Sequence, residues 1–350
     1  MKYSSILASF LCVLAGAPVA LAQTASYTPP KTSWGVPDLQ GFFSKASLTT
    51  MTRPQGATGL IVSDEEAAKL FNRNIYTRVA KEEAEDQQAV TSGKEKLALL
   101  TDANPDRAYN RYWMDPGADL GKIDGKYRSS WIVEPADGKI PYIKGNRSAR
   151  PASSEEEFAD RLSDNPEDRG IPERCIWGFT GGPGPVLNNA LYNNNYQIVQ
   201  TPDHVMIVAE MNHDVRIIPI NATRNPNAVP KWGGDSIGHY EGDTLVVETT
   251  NVEPKQNSYI DVKGKVTERF TRASNDQIIY QYTVEDPARY TQTWKGEMPL
   301  NASQGPYEYA CHEGNYSMFN LLNGARVFER EGRKNGMRKQ IFAGVAEAKE

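Results

Sequence analysis

Apolar positions follow two different rhythms along the chain. Between residues 63 and 84 they recur at helical spacing, with Leu70, Phe71, Ile75 and Val79 on one face and charged residues on the other. Ser63-Asp64-Glu65-Glu66 precedes that run as a capping box, in which Ser63 accepts from the backbone N–H near Glu66 and Glu66 reaches back. The spacing predicts a helix over 63–84. A second box, Ser154 to Glu157, predicts a short acidic helix ending near Leu162. From Tyr192 onward the rhythm changes to short β-branched and aromatic runs parted by Pro-Asp, Asn-His-Asp, Asn-Asp and Asp-Pro. These predict strands over 196–200, 205–211, 215–219, 244–250, 266–273, 277–284 and 290–298.

One stretch, 231–251, reads as strand, tight turn, strand. Residues 236–240 approach, Glu241-Gly242-Asp243 turns, and 244–250 leave as a β-branched run. Upstream, Ala136-Asp137-Gly138 between two extended segments is a hairpin signal. Gly178 to Pro185 is turn-rich, but two prolines and the lack of a following Lys-Ser/Thr exclude a phosphate cradle. Sequential strands without helices between them make an antiparallel meander, and closure into a barrel removes its exposed edges. The expected fold is therefore mainly β: a lipocalin-like antiparallel barrel over 175–350. An N-terminal extension over 23–174, carrying the helix, the hairpin and, near Phe42 to Leu48, a short strand with packed Trp and Phe residues, would pack on it.

The amino end changes the picture. Lys2, an apolar run over 6–17 and Ala20-Leu21-Ala22 have the charge, length and small-residue exit of a signal peptide over 1–22. The run is too short to span a bilayer. A secreted or periplasmic protein without a membrane span is expected. Loss of Lys2 takes the net charge from −5 to about −6. A mildly acidic chain without a basic block argues against nucleic acid as a partner. Cys12 leaves with the signal, so Cys175 and Cys311 remain as an expected disulfide, worth about 5 kcal/mol as an upper figure in the chain-entropy model.

Candidate chemistry centres on the four histidines. His213 stands near Glu210, His239 near Glu241, and His312 beside Glu313. A neighbouring carboxylate fixes a histidine's tautomer and raises its basicity, as a general base requires. If the strand ends converge, His213 and His312 form an acid–base pair oriented by Glu210, Asp235, Glu241 and Glu313. Turn roles for the same residues are the competing explanation. Zinc on Glu210, His213 and His312 is a minor option, since no H-x-H or H-E-x-x-H occurs, and no cofactor is expected. Arg216 would hold an anionic group of a substrate, or else pair with Glu210 or Glu241. Tyr192, Tyr196, Tyr309, Tyr316, Trp232 and His239 would line a pocket for a small apolar or aromatic molecule. Ser236, in G-G-D-S-I-G, lacks the setting of a nucleophile elbow.

Four long motifs carry a resemblance: Tyr192 to Gln200 (YNNNYQIVQ), Glu210 to Pro219 (EMNHDVRIIP), Gly238 to Val247 (GHYEGDTLVV) and Tyr307 to Tyr316 (YEYACHEGNY). The chain resembles a family of exported bacterial β-rich proteins of largely unassigned function, most strongly over 175–326. Tyr240 stands where that pattern more often has Trp. The resemblance implies export and a β-rich fold, and no particular reaction. The residues themselves point to an exported enzyme, a hydrolase or lyase acting on a small apolar or aromatic molecule at a barrel mouth. The alternative is a non-catalytic lipocalin-like binder with the same pocket.

Overall fold

The computed structural model describes residues 27–78, 81, 114–144, 165–171, 173–177, 182–254, 256 and 259–332. The signal-like segment, the helix expected after Ser154 and the far end of the helix expected over 63–84 lie outside these residues. The main sheet contains β1 (Gly41–Ser44), β5 (Ile132–Glu134), β6 (Asn195–Gln200), β7 (His204–Ala209), β8 (Val215–Pro219), β9 (Asp235–Glu241), β10 (Thr244–Thr250), β11 (Lys265–Arg272), β12 (Gln277–Glu285) and β13 (Trp294–Ala302). Small strands β2 (Ile61–Val62), β3 (Lys122–Ile123) and β4 (Lys126–Arg128) form a second sheet. Among the described residues these strands are accompanied by the helices α1 (Asp64–Arg73) and α2 (Tyr316–Arg330) and by shorter helical turns.

The strands run β8-β7-β6-β1-β13-β12-β11-β10-β9, with β5 also on β13, and every ladder is antiparallel. This is the expected barrel, nearly closed. Two meanders, β6–β8 and β9–β13, are joined by β1, which pairs with β6 along 41–44 and with β13 at 301–302. The barrel thus takes two strands from before residue 175, where the sequence suggested an extension with one short strand packed on the barrel and not built into it. Sequence adjacency shows which strands form hairpins but not what bridges two meanders.

Local chemistry explains the elements. Ser63 caps α1, its hydroxyl accepting from Glu66 N at 3.2 Å. Glu66 does not reach back, because its carboxylate takes the N–H and hydroxyl of Thr58 at 2.7 Å each. Asn74 then ends α1, and 75–78 form a separate helical turn. The upstream hairpin forms at Asp124-Gly125, not at Asp137-Gly138. Its two loop residues have φ of +51° and +72°, the left-handed pair that a tight primed turn requires. Gly138 instead offers its carbonyl to Arg53 N at 2.9 Å.

Strand alternation fills the barrel. Ile278, Tyr280, Tyr282 and Val284 of β12 face inward, as do Val266 and Phe270 of β11 and Trp294 and Met298 of β13. Tyr282 and Trp294 meet edge to face at 5.7 Å. Residues 182–187, the described part of the turn-rich stretch and its continuation, are buried among these rings. Leu187 N donates to Tyr280 Oη at 3.0 Å, and Tyr196 Oη donates to Gly182 O at 2.9 Å. Among the described residues, these groups pack into the barrel interior.

One polar cluster sits inside. Arg216 of β8 is 3% exposed and Glu268 of β11 is 0% exposed. The guanidinium pairs with both Glu268 oxygens and also donates to Pro183 O at 3.1 Å, Ser236 Oγ at 2.9 Å and Thr249 Oγ1 at 2.6 Å. All five of its N–H donors are used. Tyr280 Oη adds a hydrogen bond to Glu268 at 2.8 Å. Removing one member of such a pair strands a buried charge, at about 3–5 kcal/mol, whereas replacing both with apolar groups avoids that cost. We therefore expect Arg216→Met or Glu268→Leu alone to lower unfolding free energy by about that amount, and the double variant to lose less than either. Urea unfolding checks this; a double loss equal to the sum of the singles would contradict it.

Candidate functional site

An odd number of antiparallel strands cannot close without a mismatch. With nine strands on the path, the two edges, β8 and β9, run parallel. They touch at a single bridge, Ile220 with Gly238, where Asn221 N donates to Gly238 O at 2.8 Å. Parallel neighbours cannot be joined by a tight turn, so residues 220–234 loop across the outside of the barrel. Away from the bridge a cleft of about 530 Å³ opens along the seam.

Val215 and Ile217, on the outer face of β8, form part of one side and remain 43% and 56% exposed. Trp177 and Trp232 supply aromatic walls, and both are half-buried. Trp177 lies so close to the backbone at residue 233 that a Cβ there would come within 2.4 Å of its ring, which is why a glycine occupies the position. The Cys175–Cys311 disulfide, two residues before Trp177, ties this wall to the segment leading into α2 across a sequence separation of 136. Asn315 Nδ2 reinforces the tie by donating to Glu173 O at 2.6 Å.

Arg224, Lys231 and Asp235 supply charge to the cleft. Asp235 accepts from Lys231 Nζ at 2.5 Å and from Asn251 Nδ2 at 2.7 Å. Partial burial works against its ionisation. The Asn251 and Lys231 hydrogen bonds and the charges of Lys231 and Arg224 outweigh that and hold the carboxyl below its ordinary range. Arg224 is fixed by neutral oxygens. Its Nη1 donates to Asp235 O at 2.6 Å and Thr250 Oγ1 at 2.9 Å, and its Nη2 donates to Glu248 O at 3.1 Å.

Of the residues expected to form the site, Arg216, Trp232 and Asp235 border this cleft. Arg216 does so with its donors turned inward to Glu268, so neither Glu210 nor Glu241 is its partner and no donor is left for a bound anion. Ser236 spends its hydroxyl on Arg216 and Thr249. Glu210 is buried and closes a turn, accepting from Asn195 N at 3.2 Å, Asn195 Nδ2 at 2.6 Å and Asn193 Nδ2 at 3.1 Å. His213 is exposed in that turn with φ of +55°. His312 and Glu313 are exposed in the turn after Cys311, and Tyr316 is exposed at the start of α2. His239 and Glu241 do meet, at 3.2 Å on the barrel exterior, and Arg269 Nη1 reaches Glu241 at 2.8 Å. The Arg269 and His239 hydrogen bonds hold the Glu241 carboxyl low. Tyr196 is core, while Tyr192 and Tyr309 are half-buried outside the cleft lining. Among the described residues, no three His, Cys, Asp or Glu side chains are grouped to hold a metal ion, so Glu210, His213 and His312 do not form the zinc set considered above. Among the described residues, no helix is long and apolar enough to cross a membrane.

Two features escaped the sequence reading. Arg224 lies in a polar Asn- and Pro-rich stretch with no periodicity to mark it. Lys45, just beyond β1, is 1% exposed and lies 4.9 Å above the Tyr196 ring. Its signal was parity: two residues after the inward Phe43, it shares that face. Burial draws the Lys45 amine from its ordinary value down to about 7. Comparison with family models, curated proteins and solved structures finds no match.

Two measurements follow. Between pH 7 and 10.5 the unfolded chain carries a Lys45 proton that the folded chain lacks, so stability rises with pH by up to about 1.4 kcal/mol per unit. The stability difference between wild type and Lys45→Met should show that slope above pH 7 and flatten below it. A flat difference throughout would refute the assignment. Separately, a Cys175→Ser/Cys311→Ser variant should lose about 2–5 kcal/mol in urea unfolding. It should also expose Trp177 to acrylamide quenching, measured as the part of the emission that Trp177→Phe removes.

Proposed function

We propose that this chain is an exported protein that binds a small apolar or aromatic molecule in the seam cleft between β8 and β9. One observation carries the reading: two tryptophans and the outward apolar face of β8 surround a cleft of about 530 Å³ at the seam, where β8 and β9 meet at a single bridge. Apolar side chains left in water beside aromatic walls gain from a covering ligand, and ligand sites commonly pair such walls with a few placed polar groups. Export is supported by the signal-like amino end and by the Cys175–Cys311 bond, since disulfides persist in oxidising compartments.

Hydrolase or lyase chemistry in the same cleft is the second reading, and Asp235, the acidic residue on its wall, is what favours it. The pair His213 and His312 gives it less support, because neither lines the cleft. Binding needs no such group and is the stronger reading.

Titration of the mature protein with N-phenyl-1-naphthylamine, a neutral fluorescent arene, tests the proposal. We expect saturable binding at one site, weakened about tenfold or more by Trp177→Ala and by Trp232→Ala, and unchanged by Phe319→Ala on the exposed face of α2. Binding that survives both tryptophan changes, or that disappears with Phe319→Ala, would overturn it.

A further inference from the structure

We propose that Arg224 makes the seam cleft selective for anionic ligands, so that its natural occupant is an apolar or aromatic molecule bearing a carboxylate. The inference rests on the binding reading above and names its ligand class.

The argument starts from the guanidinium. A planar guanidinium has five N–H donors, and carboxylates engage it best through two parallel ones. Arg224 spends both Nη1 hydrogens and one Nη2 hydrogen on Asp235 O, Thr250 Oγ1 and Glu248 O. Its Nε–H and remaining Nη2–H have no acceptor among the described residues. Two unspent donors on one planar group are the number a carboxylate engages. The three bonds already made hold the plane in place, so a bound anion does not have to order a flexible side chain.

Charge balance supports the same conclusion. Three cations and one acid border the cleft. Arg216 is neutralised by Glu268, and Lys231 by Asp235. Arg224 is the remaining cation, and among the described residues no carboxylate lies within ion-pair distance of it. Its direct partners are carbonyl and hydroxyl oxygens, which fix its position, and the Asp235 carboxylate feels its charge only from beyond ion-pair distance. Arg224, Trp177 and Trp232 line the same cleft, so one molecule can fill both the apolar and the charged part.

The residue could instead be only a clamp that pins the 220–234 loop onto β9 and β10. A matched pair of probes separates the two roles: 1-naphthoate and 1-naphthalenemethanol share a ring system and differ in charge. Isothermal titration of wild type should show the carboxylate binding roughly tenfold or more tighter than the alcohol. Arg224→Gln should erase that preference and leave the alcohol's affinity within about threefold. Arg224→Lys should restore part of it, through charge without the two-pronged contact. Equal affinity of wild type for the two probes would overturn the proposal while leaving the cleft as a binding site. An Arg224→Gln variant that loses both probes alike would overturn it in favour of the clamp. Failure of wild type to bind either probe would remove the cleft reading itself, and this proposal with it.

Discussion

The buried ion pair between Arg216 and Glu268 is the interaction on which the rest of the structure depends. β8 and β9 share only one backbone bridge, so the barrel is held shut mainly by side chains reaching across its interior. Arg216 projects from β8 and ties together β9 through Ser236, β10 through Thr249, β11 through Glu268 and the buried 182–187 segment through Pro183. A charge taken from water at this cost is tolerable only when every donor is met, and here all five are. The same arrangement explains the filled interior: Tyr280 and residues 182–187 complete the hydrogen bonds and occupy the space an open barrel would offer a ligand.

Strand parity then determines where the seam cleft lies. Nine antiparallel neighbours leave two parallel edges, and a parallel link must travel outside the sheet. That link carries Arg224, Lys231 and Trp232 to the one stretch where β8 and β9 lack a ladder. The disulfide ties down the segment that carries Trp177, whose ring packs against the backbone of that link at residue 233. The cleft is thus a consequence of closure, and the function proposed for it uses the groups that closure leaves exposed.

Much of this was legible in the sequence. The β-branched and aromatic alternation of β6, β7, β10, β11 and β12 gave strands within a residue or two, and the two cysteines paired as their number suggested. The parts that were not legible depend on contacts distant in sequence. Nothing in Phe42-Phe43-Ser44 indicates that β1 joins two meanders lying more than a hundred residues further on. Asp137-Gly138 and Asp124-Gly125 carry the same turn signal, and only packing around Arg53 and Arg128 decides between them. α2 has a mixed, largely exposed face and lacks the clear periodicity of α1. At the site, histidines beside carboxylates drew attention because that pairing has catalytic uses, yet Glu210 had a local turn to satisfy. Arg216 looked available for a ligand because its partner, Glu268, is 52 residues away.

The most direct test of the account is amide hydrogen exchange of the protein with and without saturating 1-naphthoate. The seam account predicts added protection over 215–237 and around Trp177, with no change over 210–214 or 309–316. Protection concentrated in those two histidine-bearing segments, with the seam unaffected, would contradict it and return the site to the histidine–carboxylate pairs.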